Sequence, residues 1–302
     1  MNLLQLGALV PFHNTGGDPD TVREYAQALE AAGYDFLEAP DHVLGANAAS
    51  RPGWDPDRNT SADLFHDPFV LLSYISGVAP KLAFSTGVLI MAQRQTALIA
   101  KQAACLDVLC KGRFRLGIGV GWNEVEFVGL NENFGNRGHR SEEQVAVMRA
   151  LWKEEHVTFK GKYHTIDDAG INPRPTAGNL PVWYGGHHEK TLPRIAKWGD
   201  GWIMNNFPPD QGAVKIIDEL RDMIEAEGRD PTSVGIEVWT SCGQGDAADW
   251  RAEAMFWKAA GVSHLCLTTA FHKRHFHRSG TKHLGDHLAA IRHYREAIAD
   301  IL

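Results

Sequence analysis

Cysteine is scarce in this chain, and its placement does not suit a metal site or a disulfide framework. The 302 residues include only Cys105, Cys110, Cys242 and Cys266, and no two of them form a Cys-x-x-Cys pair. Structural zinc sites and small disulfide-rich domains depend on closely spaced cysteines. We therefore expect reduced, buried thiols in a cytoplasmic protein.

Positive charge is also in short supply. Lys and Arg number 30 against 37 Asp and Glu, which gives a net charge of −7. Binding to nucleic-acid phosphates or to anionic lipid depends on a surplus of Lys and Arg. The composition therefore argues against nucleic acid and membrane surfaces as partners.

Long apolar runs are missing as well. The opening segment "MNLLQLGALVPF" has no positively charged start and no small-residue cleavage pattern, and Gln5 interrupts it. Signal peptides need the first two features, and a bilayer span needs about 20 apolar residues. We expect neither a secretory signal nor a membrane-spanning segment.

What the chain does contain is a regular alternation of apolar runs and amphipathic segments. In "DPDTVREYAQALEAAGY", Asp18 is a good N-cap, Pro19 suits the first helical position and Gly33 ends the helix. Eight strand-then-helix units of this kind follow one another, with strands predicted at 3–12, 34–39, 81–90, 113–120, 180–186, 200–205, 233–242 and 262–270. This order predicts an α/β fold, a single (β/α)8 TIM-barrel domain over residues 1–302, with an open doubly wound sheet as the alternative.

Three insertions and two helix starts accompany the predicted barrel. We expect a polar loop at 40–66 after the second strand, a loop after the fourth strand, and a small hairpin at 157–167 before the fifth strand. Ser141 and Gln144 fit a capping box at a helix start. Pro193 predicts a late start or a kink in the helix after the fifth strand.

The stretch "GIGVGW" (117–122) ends the fourth predicted strand. A dinucleotide-binding turn needs Gly-x-Gly-x-x-Gly leading into a helix. Here the spacing is Gly-x-Gly-x-Gly, and Trp122 and a predicted acidic loop follow it. There is no P-loop pattern either. The glycines either let a flat ring or a phosphate approach the backbone, or relieve crowding inside the barrel.

Reactive side chains of a TIM barrel lie at the carboxyl ends of its strands. Asp41 and His42 follow the second strand, where an imidazole can donate a hydrogen bond or move a proton near neutral pH. A structural role for His42 is the alternative. Trp54 and Trp122 are candidates for the walls of a substrate pocket, although packing would also explain them.

Two further segments have the composition of ligand sites. Gly185 and Gly186 precede a predicted helix, whose free N–H groups suit a phosphate, unless this is an ordinary turn. The loop 271–283 is rich in His, Lys and Arg and reads as a solvated basic lid for an anionic ligand. His275 and His277 could begin a metal site, but no matching cluster is spaced for it, so we predict no metal.

Several blocks of the chain together resemble a known family. The segments "AGYDFLEAPDHV", "LAFSTGVLIMAQRQTALIAKQAACLDVLCKGRFRLGIGVGWNEVEF", "ALWKEEHVTFKGKYH" and "PVWYGGHHEKTLPRIAKWGDGW" are similar to the luciferase-like monooxygenase superfamily. Within it, they are most similar to its coenzyme F420-dependent oxidoreductases. The resemblance implies F420, or alternatively FMN, across the carboxyl ends of the strands, and relatives of this kind are often homodimers.

The resemblance also implies roles for particular residues. Asp41 and His42 would lie beside the deazaflavin, with His42 as proton donor or anion stabiliser, and a non-prolyl cis peptide at Gly87–Val88 would support the ring. The cofactor's ribityl-phosphate side would pass Gly119, Val120 and Gly121, and its phosphate would meet Gly185, Gly186, His187 and His188. The chain departs from the sugar-phosphate dehydrogenase branch at Trp122 and Val125, so that branch's substrate and acid–base residues are not transferred.

The function that follows from the resemblance is hydride transfer between C5 of F420 and an organic small-molecule substrate. In that picture, the loop 43–66 with Trp54 and Trp122 closes over the substrate. One alternative is an FMN-dependent monooxygenase that uses reduced flavin and oxygen. The others are a non-catalytic F420-binding protein and a metal-dependent barrel hydrolase.

Overall fold

A closed sheet of parallel strands forms the centre of the molecule. The computed structural model describes residues 3–55, 58–205, 207–270 and 283–302. Its strands are β1 Gln5–Leu9, β2 Phe36–Ala39, β3 Ala83–Thr86, β4 Leu89–Ile90, β5 Phe114–Gly119, β6 Val157–Lys160, β7 Thr165–Ala169, β8 Val182–Gly185, β9 Gly201–Met204, β10 Gly235–Ser241 and β11 His264–Thr268.

Closure of the sheet occurs between β3 and β5, where Phe84 pairs with Phe114 and Ser85 with Arg115. The remaining barrel strands follow in the order β2, β1, β11, β10, β9 and β8, and return to β5. The short β4 continues the path of β3 and pairs with β5. The predicted (β/α)8 barrel is therefore confirmed, and the open sheet is excluded.

Helices alternate with the barrel strands, as the periodicity predicted. Their bounds are α1 Phe12–Thr15, α2 Pro19–Ala31, α3 Pro68–Val78, α4 Thr96–Leu109, α5 Glu124–Gly129, α6 Arg137–Lys153, α7 Thr191–Trp198, α8 Gln211–Ala226, α9 Ala247–Ala259 and α10 Leu284–Ala297. The predicted start of α2 is confirmed, because Asp18 accepts hydrogen bonds from the backbone N–H groups of Asp20 and Thr21. In the described part of the chain, no helix has the length and apolar content to cross a membrane.

The insertions also lie where they were predicted. Among the described residues of the connection between β2 and α3, Ala48–Ser50 form a short 3-10 turn. The strands β6 and β7 form an antiparallel hairpin before β8. Helix α7 begins late, so that Pro193 lies in its first turn, where the missing N–H breaks no intrahelical hydrogen bond.

Two local predictions were wrong. The acidic stretch after Trp122 is the short helix α5, which begins because the Asn123 side chain accepts a hydrogen bond from the backbone N–H of Val125 at 3.2 Å. Ser141 and Gln144 do not cap a helix, since α6 begins earlier, at Arg137. The Gln144 amide instead donates to distant groups, among them the Met91 carbonyl at 3.2 Å.

All four cysteines are free thiols, as expected, but only Cys110 and Cys266 are fully buried.

Cys266 belongs to a charged cluster inside the barrel. At the centre of this cluster, the Arg115 guanidinium lies 4.3 Å from the ring centroids of both Phe36 and Trp183. It donates a hydrogen bond to Glu237, whose side chain has no exposure.

The same cluster contains three buried groups of a kind that binds metals. One ligand atom each from Glu38, Glu237 and Cys266 lie within 4.8 Å of one another. Burial, and next the neighbouring Glu38 carboxylate, raise the pKa of Glu237 well above its ordinary value. Arg115 already supplies positive charge there, and we interpret Glu237 as a neutral carboxyl group.

Candidate active site

A cavity of about 370 Å³ opens at the carboxyl ends of β5 and β8. Residues 119–121 and Gly185 line one side of it. The first residues of α6 and α7 form its outer wall. Its position agrees with the rule that TIM-barrel sites form at the carboxyl ends of the strands.

Several of the side chains around this cavity are basic. Arg137, His139, His188, Lys190 and Arg194 line it, and none of the described lining residues is acidic. The chain as a whole has an excess of acidic residues, so this concentration of positive charge is local. Such a wall favours an anionic ligand.

The basic groups differ in how far their charge is already neutralised. Arg194 forms an ion pair with Glu142 at 2.8 Å. Arg137 instead donates to the carbonyl oxygens of Gly121 and Phe134, at 3.1 and 2.8 Å. In the described part of the chain, neither Arg137 nor Lys190 pairs with a carboxylate, so their charges remain available to a ligand.

Two helix N-termini face the same cavity. The N-cap residues of α6 and α7 are Asn136 and Lys190, and neither forms a side-chain capping hydrogen bond. The first N–H group of each helix already has a backbone partner, since Arg137 donates to the Phe134 carbonyl and Thr191 to the His188 carbonyl at 2.8 Å. The positive end of each helix dipole still favours a phosphate or carboxylate group. The hydroxyl of Tyr184 on the cavity wall is buried and has no hydrogen-bond partner.

The glycines beside the cavity are required by packing. A Cβ on Gly119 would lie 2.6 Å from Val88 Cγ2, and a Cβ on Gly185 would lie 2.6 Å from Val88 Cγ1. Gly121 has φ +77°, and a Cβ there would lie 2.6 Å from Ile90 Cγ2. The explanation by crowding, which the sequence left open, therefore applies at these positions, while their main chain still lines the cavity.

The peptide bond between Gly87 and Val88 is cis, as the resemblance implied. Gly87 is also necessary for packing, because a Cβ there would collide with the Glu38 side chain. The proposed contact of Gly87 and Val88 with a cofactor stays a prediction.

Asp41 is buried and fully engaged by its neighbours. Its carboxylate accepts hydrogen bonds from the backbone N–H of Ile90 at 2.9 Å and from Arg94 Nη2 at 2.6 Å. Arg94 also pairs with Asp67, the N-cap of α3, at 2.9 Å. Burial raises the pKa of Asp41, and the Arg94 guanidinium opposes that shift. The pair fixes the chain after β2 against neighbouring elements, whereas a catalytic role of Asp41 stays a prediction.

His42 lies in an aromatic surrounding and is not among the residues that line the cavity. Its ring centroid is 4.9 Å from that of Phe65 and 6.0 Å from that of Trp122, both in edge-on geometry. Trp54 approaches Trp122 to 6.0 Å, and the buried Nε1 of Trp54 has no hydrogen-bond partner. The predicted residues His42, Trp54 and Trp122 thus lie together, in a group separate from the cavity wall.

Of the residues predicted to meet the cofactor's phosphate side, some line the cavity and others do not. The cavity wall contains Gly119, Val120, Gly121, Gly185 and His188. The other two predicted residues contact protein groups outside that wall. The Gly186 carbonyl accepts a hydrogen bond from Trp202 at 3.2 Å, and His187 packs edge-on against Phe207 at 5.0 Å. Residues 271–282 of the predicted basic lid, with His275 and His277, lie outside the described residues.

Sequence reasoning missed the basic residues at the start of α6 and the acid that contacts His42. Arg137 and His139 belong to the stretch "NRGHRSE", a run of basic groups at a helix start. Because the helix was predicted to begin at Ser141, they were placed in a loop. Glu126 Oε2 lies 3.3 Å from His42 Nδ1. Glu126 is one of several acidic residues in this stretch, and nothing in the sequence distinguishes it from the others.

Comparison with known proteins places the chain in a family. The luciferase-like monooxygenase family model matches residues 4–299, so the chain belongs to this family. One curated relative is the F420-dependent hydroxymycolic acid dehydrogenase of Mycobacterium tuberculosis (strain ATCC 25618 / H37Rv). It is 28% identical over 248 residues, which are 80% of this chain and 65% of the relative.

Solved structures of low sequence identity have the same fold. An F420-dependent secondary alcohol dehydrogenase, in complex with an F420-acetone adduct, aligns with a TM-score of 0.77 at 19% identity, covering 98% of this chain and 99% of that one. The monooxygenase RslO1 of Streptomyces bottropensis aligns with a TM-score of 0.74 at 16% identity, with coverages of 98% and 99%. Family and relatives together support an oxidoreductase.

Proposed function

We propose that this protein is an oxidoreductase that transfers a hydride between coenzyme F420 and an organic small molecule. The observation that supports this best is the basic cavity, where the N-terminal ends of α6 and α7 and the side chains of Arg137 and Lys190 lie beside a glycine-rich wall. A flat cofactor with a phosphodiester and further carboxylates on its tail matches this set of groups. The relatives that use F420 point to the same cofactor.

The hydrogen-bond donors and positive charges of the cavity are of the kind that binds the anionic tail of this cofactor. Arg137 and Lys190, with the positive ends of the α6 and α7 dipoles, would hold the anionic tail, and the unpartnered Tyr184 hydroxyl would donate a hydrogen bond. When bound, the deazaflavin supplies the two-electron chemistry of a hydride carrier. The protein's own contribution is to bind, to orient and to exclude water.

The aromatic group beside the cavity would serve the substrate. Phe65 and Trp122 pack edge-on against His42, and Trp54 packs against Trp122. The loop 43–66, which contains Phe65 and Trp54, would close over a ligand. His42 would hold or release the proton that accompanies hydride transfer. Exclusion of water from the space between these side chains would strengthen the electrostatic interactions there.

Titration of the purified chain tests this assignment. We expect F420 to raise the melting temperature, and its absorbance band to change on addition of a suitable alcohol or carbonyl compound. Lys190→Ala should weaken F420 binding about tenfold, since one hydrogen bond to a charged group contributes about 1.5 kcal/mol. Lys160→Ala changes an equally exposed lysine on the hairpin and is the matched control. No binding of F420 by the unaltered chain would overturn the proposal.

An FMN-dependent monooxygenase is the second candidate, because the family and the Streptomyces structure include such enzymes. Oxygen consumption with reduced FMN, but no exchange of hydride with F420, would favour it. Tight F420 binding without turnover on any alcohol, aldehyde or ketone would favour a non-catalytic binding protein.

A further inference from the structure

The carboxylate of Glu126 contacts three consecutive residues of one short segment of the chain. Glu126 is the third residue of α5, and only 1% of its surface is exposed. Its Oε1 accepts hydrogen bonds from the backbone N–H groups of Val43 at 2.8 Å and Leu44 at 3.2 Å. Its Oε2 lies 3.3 Å from Nδ1 of His42. All three contacts are to consecutive residues that follow β2.

These contacts determine the direction of the hydrogen bond to His42. An ionised carboxylate can only accept, so Nδ1 of His42 must carry the proton that is shared with Oε2. In the neutral imidazole, the lone pair is then on Nε2, for which no described residue offers a hydrogen bond. The edge-on contacts with Phe65 and Trp122 limit rotation of the same ring.

We propose that Glu126 is a positioning residue that fixes the tautomer and the ring orientation of His42. The inference rests on the proposed function in one respect, namely that His42 handles the proton of the reaction. A buried carboxylate needs compensating donors, and in the described part of the chain the three donors that Glu126 contacts all belong to the segment it holds. The arrangement leaves Nε2 available to a substrate, as an acceptor in the neutral ring.

Glu126→Gln separates positioning from simple packing. The Gln side chain has the same length, and the N–H groups of Val43 and Leu44 require its oxygen at the Oε1 position. Its NH2 group then faces Nδ1 of His42 and can only donate. The hydrogen bond reverses, and the imidazole proton moves to Nε2. The fold is retained while the chemical state of His42 changes.

The primary readout needs no cofactor. Ring ¹⁵N chemical shifts of His42, assigned by comparison with His42→Ala, report the tautomer of the neutral imidazole at alkaline pH. We expect Nδ1–H in the unaltered protein and Nε2–H in Glu126→Gln. Glu124→Gln, an exposed acid on the same helix, is the control and should leave the shifts unchanged. Nε2–H in the unaltered protein, or the same tautomer in Glu126→Gln, would overturn the inference.

A second readout distinguishes the two proposals. With F420 and an accepted substrate, Glu126→Gln should lower kcat about 100-fold, the contribution of one general acid–base group, and leave the KM for F420 unchanged. A normal kcat in Glu126→Gln contradicts the positioning role. If the tautomer changes as expected but the unaltered chain neither binds nor turns over F420, the proposed function fails and the positioning role stands.

Discussion

Replacement of Gly119 by Ala should displace Val88 from its place between β5 and β8. The added Cβ would lie 2.6 Å from Val88 Cγ2, a separation well below an ordinary van der Waals contact. Val88 has little freedom to withdraw, because its other γ-methyl already faces the main chain of Gly185. Overpacking of this kind costs about 1–3 kcal/mol of the free energy of unfolding.

The same geometry specifies the compensating change. Val88→Ala removes both γ-methyl groups and leaves Val88 Cβ, which is 3.6 Å from the Cβ position of Gly119. That distance is an ordinary contact. Val88→Ala alone should cost about 1–2 kcal/mol for two lost methyl groups. In its presence, Gly119→Ala should cost close to nothing.

Urea unfolding of the parent, both single variants and the double variant measures the coupling free energy. Gly77→Ala is the matched control, since a Cβ on Gly77, within α3, meets nothing within 4 Å and should stabilise by about 0.5–1 kcal/mol. Additivity of Gly119→Ala and Val88→Ala within about 0.5 kcal/mol would refute the reasoning.

Two other changes test the buried charges. Asp41→Asn breaks the buried pair with Arg94 and should lower the free energy of unfolding by about 3 kcal/mol, measured by urea unfolding. Asp20→Asn, at an exposed pair, should cost less than about 1 kcal/mol, and equal costs would contradict the argument. Glu237 has a raised pKa, so its stabilising contribution is complete below the ordinary value of 4.5 and is lost as the pH rises towards the folded-state value. Glu237→Gln should therefore flatten the fall of the free energy of unfolding as the pH rises above that ordinary value, whereas parallel profiles would exclude a proton on this carboxyl group.

Much of the fold could be predicted because its signals are local. The Asp18-Pro19 start of α2 needs only a side-chain acceptor two or three residues from its donors. The alternation of strands and helices is likewise read over a few residues at a time, and it determined the barrel. The resemblance to the family added the cis peptide at Gly87–Val88, which no local signal indicates.

One of the wrong predictions concerns the start of α6. Ser141 and Gln144 have the spacing of a capping box, yet the Gln144 amide is occupied by the Met91 carbonyl, 53 residues away. Helix α6 begins at Arg137, which brings a basic side chain to the cavity. The spacing of Ser141 and Gln144 is a local signal, whereas the partner that the Gln144 amide nitrogen finds lies far away in the chain.

The sequence by itself determined the barrel and the end of the barrel where reactive groups gather, because strand and helix periods are properties of neighbouring residues. Only the tertiary structure decided which glycines make room for Val88 and that Glu126 contacts His42, 84 residues away in the chain. Such contacts arise when distant segments close around one cavity. Their partners are chosen by shape and by the need to satisfy buried polar groups, and no period in the sequence records that choice.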